Sequence, residues 1–450
     1  MISRESYPMN RSQAPRFFVI SLIALTIVSG FSHPASAQAP ATPGDSLSSA
    51  SQAPPTQLTL TWLIQEALQR NPEIRAGMRE VDGKRARVPQ AGALPDPIVM
   101  FGQNNEGNVV PFTTLGKFDF SEVYLGFTQE FPLFGKRGLR ERVASSEADA
   151  HWWEYDFARK QVIANLKAAY YDLHYSTKAM EVVGKNIGLM ESFAKIAEAL
   201  YKVGKGNQAD VLRANTEISR LEERLETLAE QKGVSEAQIT ALLNYPPDTP
   251  LARPAPVAKP PLPFSLEQLK AMAAENFPLL KRDRRMIDSR VSALRLAEKE
   301  KYPDFGVTFT YHNRGGLRDY WTIGGTARIP LYYSRKQRRA VEEAAAEEAA
   351  SRERYSNNQA LLFFKLKDAY LRATTSGRLT RLYGEVITPQ EALTLEATTA
   401  SYETGKVDFL SVVDSSIKLL NDEITYYEHL TKYLKALAEL EPLIGVELTR

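Results

Sequence analysis

The chain has 450 residues, a formal net charge of +2 at pH 7 and no cysteine. The absence of cysteine excludes disulfides, a thiolate metal site and a lipid attached to an N-terminal cysteine. The near-zero charge argues against a nucleic acid as a partner. The length fits two or three ordinary domains or one elongated domain.

Residues 1–37 have the pattern of a secretory signal peptide. Three arginines precede the apolar run FFVISLIALTIVSGF, and the small residues Ala35-Ser36-Ala37 follow it. The run is shorter than the ~20 residues of a membrane span, so we expect cleavage after Ala37 rather than an N-terminal membrane anchor. Residues 38–57, rich in Ala, Pro, Ser and Gln, are expected to form a flexible lead-in.

The remaining sequence reads as two repeats. The segments YKVGKGNQADVLR (201–213) and YETGKVDFLSVVD (402–414) have the same pattern at an offset of 201 residues. Residues 246–263 contain eight prolines and are expected to form an extended, stiff linker. On either side of it, residues 58–245 and 264–447 show the same order of signals, which indicates a tandem duplication.

Each repeat begins with a helical segment and continues with two strand candidates. The candidates lie at 97–103, 121–133, 304–312 and 320–331. In the second and third of them, apolar residues alternate with small or polar residues with period two. The candidates' length of about ten residues suits an outer-membrane crossing. Aromatic residues near the strand ends are expected to form lipid-facing girdles, namely Phe101, Tyr124, Tyr311, Tyr320, Trp321, Tyr332 and Tyr333.

A long helical region follows each strand pair. Apolar residues recur at alternating spacings of three and four, the pattern of a coiled coil. The first region runs from about 137 to 203, about 100 Å of helix at 1.5 Å per residue, and resumes to about 243. Breaks at 202–207 and 403–406 place Gly204 and Gly405 at the tips of helical hairpins, where a turn needs a positive φ.

Four strands cannot close a barrel, because the open edges would leave unpaired backbone groups in hydrocarbon. The edges must therefore pair with other copies of the chain. A soluble β-sandwich capped by helices is the alternative, but it leaves the long hairpins without a packing partner. A non-pore periplasmic coiled-coil adaptor would carry one hairpin and no duplicated strand pairs.

The chain resembles the TolC-like outer-membrane factors over nearly all of its mature length. The stretches that carry this resemblance are VITPQEALTLEATTASYETGKVDFLSVVD, ALYKVGKGNQADVLRANTEISRLEE, TQEFPLFGKR, ARIPLYYSRKQ and the strand starts LPDP and YPDF. Pro389, which interrupts a helical pattern in the second hairpin only, also matches the family.

The resemblance implies a mixed α/β membrane protein of the outer membrane of a Gram-negative bacterium. Three copies would share a 12-stranded barrel, and their helices would form a periplasmic tunnel. The implied partners are a periplasmic adaptor, an inner-membrane pump of the resistance-nodulation-division type and outer-membrane lipid. QEFPLFGKR further resembles the subgroup that serves heavy-metal pumps; organic drug efflux or type I protein secretion remains the alternative.

The resemblance also implies roles for residues near the tips. Asp414 would form a constriction ring, whereas Ser411 replaces the carboxylate of a second ring. Tyr402 and Asp210 match a pair that holds the tunnel closed, while Val407 replaces the basic partner of that pair. The positions expected to dock the adaptor are Gly204, Gly405, Tyr201, Leu212 and Val413.

No pattern in the sequence indicates an enzyme. The five histidines are scattered, and the Gly-Lys-Gly at 204–206 lacks the spacing of a phosphate loop. We therefore expect neither a cofactor nor a dedicated metal site.

Overall fold

A computed structural model describes residues 57–449. The expected signal peptide and the lead-in before Gln57 lie outside the described residues. The described chain contains two repeats of the same order: a kinked helix pair, two strands and a helical hairpin.

The elements of the first repeat are α1 (Leu60–Arg70), α2 (Pro72–Gly92), β1 (Ile98–Asn104), β2 (Glu122–Phe131), α3 (Lys136–Lys202) and α4 (Gln208–Leu242). Those of the second are α5 (Leu266–Asn276), α6 (Pro278–Lys299), β3 (Asp304–Asn313), β4 (Tyr320–Arg328), α7 (Gln337–Leu382), a π-helical turn (Tyr383–Ile387), α8 (Thr388–Glu403) and α9 (Phe409–Ile444). The four predicted strands and the two long hairpins are confirmed.

Capping residues explain why the short helices begin where they do. Ser265 and Gln268 form a capping box at the start of α5. Asn71 separates α1 from α2, and its side-chain oxygen accepts from the Ile74 N–H at 3.1 Å. The Asn71 amide also donates to the carbonyl of Leu242 at 2.9 Å, which fixes this corner against the end of α4.

The second hairpin remains helical through the position of Pro389. The sequence predicted a break there, but the structure has a five-residue π-helical turn at 383–387, and Pro389 occupies the first turn of α8. Because the helix continues through this point, the proline removes one backbone hydrogen bond from it. The π turn absorbs the irregularity without ending the helix.

The four strands form one antiparallel sheet in the order β1-β2-β3-β4. One face is apolar and exposed: Phe127, Phe309 and Ile323 lie side by side on neighbouring strands and are 45 %, 45 % and 65 % exposed. The other face is small or polar, with the hydroxyls of Thr128 and Thr308 in contact at 2.8 Å. The predicted alternation is thus present in three dimensions.

Two of the seven residues expected in the aromatic girdles do not lie on the apolar face. Trp321 and Tyr311 are direct neighbours on the apolar face, whereas Tyr124 and Tyr320 lie on the polar face. The reason is the two-residue period of a strand, which puts Tyr124 on the same side as Gly126 and Thr128.

The helices pack through two hydrophobic clusters. One lies where α1, α5 and the linker cover α3, α7 and α9, and the other lies along the hairpins towards their tips. Both clusters include residues of α3 and α9, so these two helices join the two hairpins.

The proline-rich linker wraps around the first cluster. It contains no helix, and the Tyr170 hydroxyl of α3 donates to the carbonyl of Ala255 at 3.2 Å. Lys259 donates to the carbonyl of Gly377 in α7, and the Tyr433 hydroxyl of α9 donates to the carbonyl of Pro260, both at 2.6 Å. The linker therefore binds helices of both hairpins at one level. Within residues 57–449, no helix is both long enough and apolar enough to cross a membrane.

Candidate functional site

The two hairpin tips have the same backbone geometry. Gly204 and Gly405 have φ values of +75° and +71°, a conformation that glycine adopts at little cost. The next residues, Lys205 and Lys406, each donate their N–H to a carbonyl five residues earlier at 2.9 Å, which closes the helix end as in a Schellman motif. The predicted role of both glycines in the turns agrees with this geometry.

The residues that cap the outgoing helices differ between the tips. Asn207 accepts from the N–H of Ala209 at 3.1 Å at the start of α4. At the start of α9, Asp408 accepts from the N–H of Ser411 at 3.1 Å and from its hydroxyl at 2.5 Å. These hydrogen bonds hold the pKa of Asp408 below its usual range. Ser411 is thus occupied as a capping partner.

The structure brings Tyr402 and Asp210 near each other across the two hairpins. Tyr402 is half-buried, and its ring lies 5.6 Å from that of Phe409. Burial raises the pKa of Tyr402, and the negative charge of Asp210 raises it further. Among the described residues of one chain, no hydrogen bond joins the two side chains.

Asp414 is exposed on α9, six residues after the cap Asp408. It forms no ion pair with another residue in the described part of the chain. Its charge is therefore available to ions and to other copies of the chain.

A basic residue that the sequence analysis did not single out lies at the same tip. Arg213 of α4 is close enough to Asp408 to contribute to its lowered pKa. The repeat offset places Arg213 opposite Asp414 in the alignment of the two halves, and this alignment was the signal that could have found it. A positive charge thus faces the second tip, although Val407 replaces the basic residue expected on that tip.

The expected docking residues differ in exposure. Tyr201 is 47 % exposed and Leu212 is 59 % exposed, whereas Val413 is only 4 % exposed. Val413 packs in the hydrophobic cluster that lies along the hairpins towards their tips. Its side chain is therefore unavailable to a docking partner, contrary to the expectation from the sequence.

Polar contacts also join the two hairpins further along the helices from the tips. The Arg224 guanidinium of α4 donates to the side-chain oxygen of Asn421 on α9 at 2.9 Å. The Ser416 hydroxyl donates to the Asn186 side-chain oxygen at 3.3 Å, and both residues are buried. These contacts hold the two hairpins of one chain side by side.

The described residues include no group of three or more His, Asp or Glu side chains placed to hold a metal ion. His151 contacts Glu154 at 3.3 Å on the surface of α3. The hairpin tips carry charged and aromatic side chains, which can attract ions or bind other helices.

Comparison with known proteins gives a family match to both repeats. A family model described as "Outer membrane efflux protein" matches residues 63–245 and 269–446. The chain is also 21 % identical over 390 residues to the cobalt-zinc-cadmium resistance protein CzcC of Cupriavidus metallidurans, covering 86 % of this chain and 90 % of that relative.

Solved structures show the same fold at low sequence identity. The outer-membrane channel OprN has a TM-score of 0.72 at 16 % identity, covering 86 % of this chain and 89 % of OprN. The outer membrane protein VceC of Vibrio cholerae has a TM-score of 0.72 at 18 % identity, covering 86 % and 96 % of the two chains. For CusC the TM-score is 0.73 at 14 % identity, with 86 % and 91 % covered.

Proposed function

The chain belongs to the outer membrane efflux protein family, and on this premise we propose that three copies form a passive channel that exports heavy-metal cations across the outer membrane. The channel would receive its cargo from a periplasmic adaptor and an inner-membrane pump of the resistance-nodulation-division type. It has no energy source of its own.

The observation that carries this proposal is the open, two-faced sheet. The outer edges of β1 and β4 have no partner strand within the described chain. In hydrocarbon, roughly five unpaired backbone groups per edge would cost several kcal/mol each, more than a typical domain's stability. Pairing β4 of one copy with β1 of the next satisfies both edges, and three copies of four strands give twelve.

The exposed apolar face supports the same arrangement. Rows such as Leu125, Tyr311 and Trp321, which are 51 %, 44 % and 62 % exposed, suit contact with lipid. The opposite, polar face would then line the lumen. The helices continue from the strand ends, so the hairpins of three copies would extend the channel into the periplasm.

We base the proposed cargo on the negative charge expected in the tunnel and on the description of one relative. CzcC is a cobalt-zinc-cadmium resistance protein, and the exposed Asp414 would appear three times around the tunnel of a trimer. Facing carboxylates attract cations and repel anions. Tyr402 and Asp210 would hold the tips closed at rest, and Gly204, Gly405, Tyr201 and Leu212 would present the adaptor-binding surface.

The assembly can be tested on protein extracted in a mild detergent. We expect an SDS-resistant trimer whose mobility changes on heating, and ion conductance when it is added to a planar bilayer. A stable monomer, or a trimer without conductance, would contradict the proposed channel.

The cargo needs a separate test in a strain that lacks the chain's gene. Complementation should restore growth in cobalt, zinc or cadmium salts. Restored tolerance to organic drugs alone would instead favour the drug-efflux alternative, and restored secretion of a protein alone would favour type I secretion.

A further inference from the structure

One carboxylate on the polar face of the sheet joins all four strands. Glu122, the first residue of β2, is only 5 % exposed. It accepts a hydrogen bond from Asn104 of β1 at 3.0 Å and from the Tyr320 hydroxyl of β4 at 2.7 Å. The Nδ1 atom of His312 on β3 lies 3.0 Å from the same carboxylate.

This cluster lies at the end of the sheet away from the helices, where β1 and β3 end and β2 and β4 begin. The rings of His312 and Tyr320 stack at 4.4 Å with an angle of 4° between their planes. Tyr124, the neighbour of His312 on β2, continues this row of rings. All of these side chains share the polar face, because their positions have the same parity along the strands.

Glu122 has three polar partners, and only one of them can carry a positive charge. That partner is His312, whose Nε2 atom lies 3.3 Å from the Thr322 hydroxyl. Asn104 and Tyr320 are neutral donors. Within the described chain, no lysine or arginine lies within ion-pair distance of this carboxylate, and the nearby Arg314 pairs with Asp119.

Burial makes the charge of Glu122 act more strongly on ions than the charges of the exposed carboxylates nearby. Glu106, Asp119 and Asp319, on the loops at the same end, are exposed, so water and salt screen them strongly. Glu122 lies beside aromatic rings in a wall whose other face would contact lipid in the proposed barrel. Charges in such low-dielectric surroundings are screened less.

We propose that Glu122 is a second determinant of ion selectivity, a ring of three carboxylates near the outer mouth of the barrel that favours cations as they leave. His312, Tyr320 and Asn104 are positioning residues that hold the carboxylate at the lumen wall. The inference rests on the proposed trimeric channel. It is independent of Asp414, which lies near the hairpin tips, at the end of the long helices away from the sheet.

The test is the reversal potential of single trimers in a potassium chloride gradient at low ionic strength. Glu122→Gln keeps the shape and a hydrogen-bond acceptor but removes the charge, and we expect the cation-to-anion permeability ratio to fall about twofold or more. Glu106→Gln removes an exposed carboxylate at the same end and serves as the matched control, with an unchanged ratio expected.

A conducting Glu122→Gln trimer with the wild-type permeability ratio would overturn this inference and leave the channel itself intact. Loss of conductance in the wild-type protein would instead overturn the proposed function. If Glu122→Gln fails to assemble, Thr322→Lys keeps Glu122, replaces the hydroxyl that contacts His312 and places a positive charge beside the carboxylate. An unchanged ratio in a conducting Thr322→Lys trimer would also overturn the inference.

Discussion

At the scale of single residues, Lys167 carries its charge in a fully buried position on α3. Its ammonium donates to Glu441 of α9 at 2.7 Å and to the carbonyl of Thr449 at 2.6 Å. The other oxygen of Glu441 accepts from the N–H of Thr449 at 2.7 Å. This network fixes residues 445–449 against the long helices of both repeats.

Lys167→Met should lower the free energy of unfolding by about 3–5 kcal/mol, because Glu441 would remain buried without its cation. The measurement is chemical denaturation of the detergent-solubilised protein followed by circular dichroism. The double variant Lys167→Met/Glu441→Gln should recover much of the loss. Equal stability of the single and double variants would contradict the role of the unpaired carboxylate.

His174 predicts how stability depends on pH. Burial and, to a smaller extent, the positive charge of Lys178 lower its pKa to about 4, compared with about 6.5 in an unfolded chain. Between these values the unfolded state binds more protons, so the free energy of unfolding falls as the pH falls from about 6.5 to about 4. The loss reaches about 3 kcal/mol at the lower pH.

The variant His174→Gln should flatten this part of the pH profile. Thermal unfolding from pH 7 to pH 4 measures it, and His151→Gln, on the surface of the same helix, is the control. Identical slopes for His174→Gln and the wild type would rule out His174 as the source.

Individual site residues were only partly predictable from the sequence. The repeat offset and the family resemblance led to Asp210 and Tyr402, which do lie near each other. Neither could show that Val413 faces inwards, because the buried face of α9 is set partly by its contact with α3 of the other repeat. The cluster around Glu122 was missed altogether, because its members come together only through the register of strands far apart in sequence.

At the scale of elements, the π turn at 383–387 packs closely against α9. A Cβ atom on Gly384 would lie 2.8 Å from a ring carbon of Tyr426. The irregular turn and the missing side chain together allow the ring to approach the helix backbone.

Gly384→Ala should therefore destabilise the helical hairpins by about 1–3 kcal/mol through overpacking. Gly188→Ala on α3 is the matched control, since a Cβ there would meet nothing within 4 Å and should add up to about 1 kcal/mol of helix stability. Thermal unfolding followed at 222 nm, the helical band in circular dichroism, compares the two. Similar shifts in both variants would contradict the close packing at Gly384.

The elements themselves followed from local patterns. Period-two alternation predicted β2 and β3, and the repeated order of elements supported β1 and β4. The three-four spacing predicted hairpins with breaks near 203 and 404. Pro389 misled the prediction, because the π turn directly before it lets the helix continue past the proline.

At the scale of the whole molecule, the proposed closed state depends on contacts between hairpins. Tyr402→Phe and Asp210→Ala should each raise single-channel conductance, because both remove an interaction proposed to hold the tips together. Tyr201→Phe, the equivalent change in the first repeat, is the control and should leave conductance unchanged. Wild-type conductance in both gate variants would reject the proposed closure.

Selectivity at the periplasmic end is a separate prediction for the trimer. Asp414→Asn should weaken cation preference, because it removes three negative charges from the proposed constriction. Reversal potentials in a salt gradient measure the effect, and Glu403→Gln, which removes another exposed carboxylate at the same tip, is the control. An unaltered reversal potential in Asp414→Asn would eliminate Asp414 as the ring.

The two tips of a chain share a backbone turn but not a surface. Asn207 and Asp210 on one correspond to Asp408 and Ser411 on the other. In a three-copy assembly, six loops would therefore alternate between two chemical types around the rim. A protein that contacts all six loops must consequently have two different kinds of binding site. A protein with one kind of binding site can contact only every second loop.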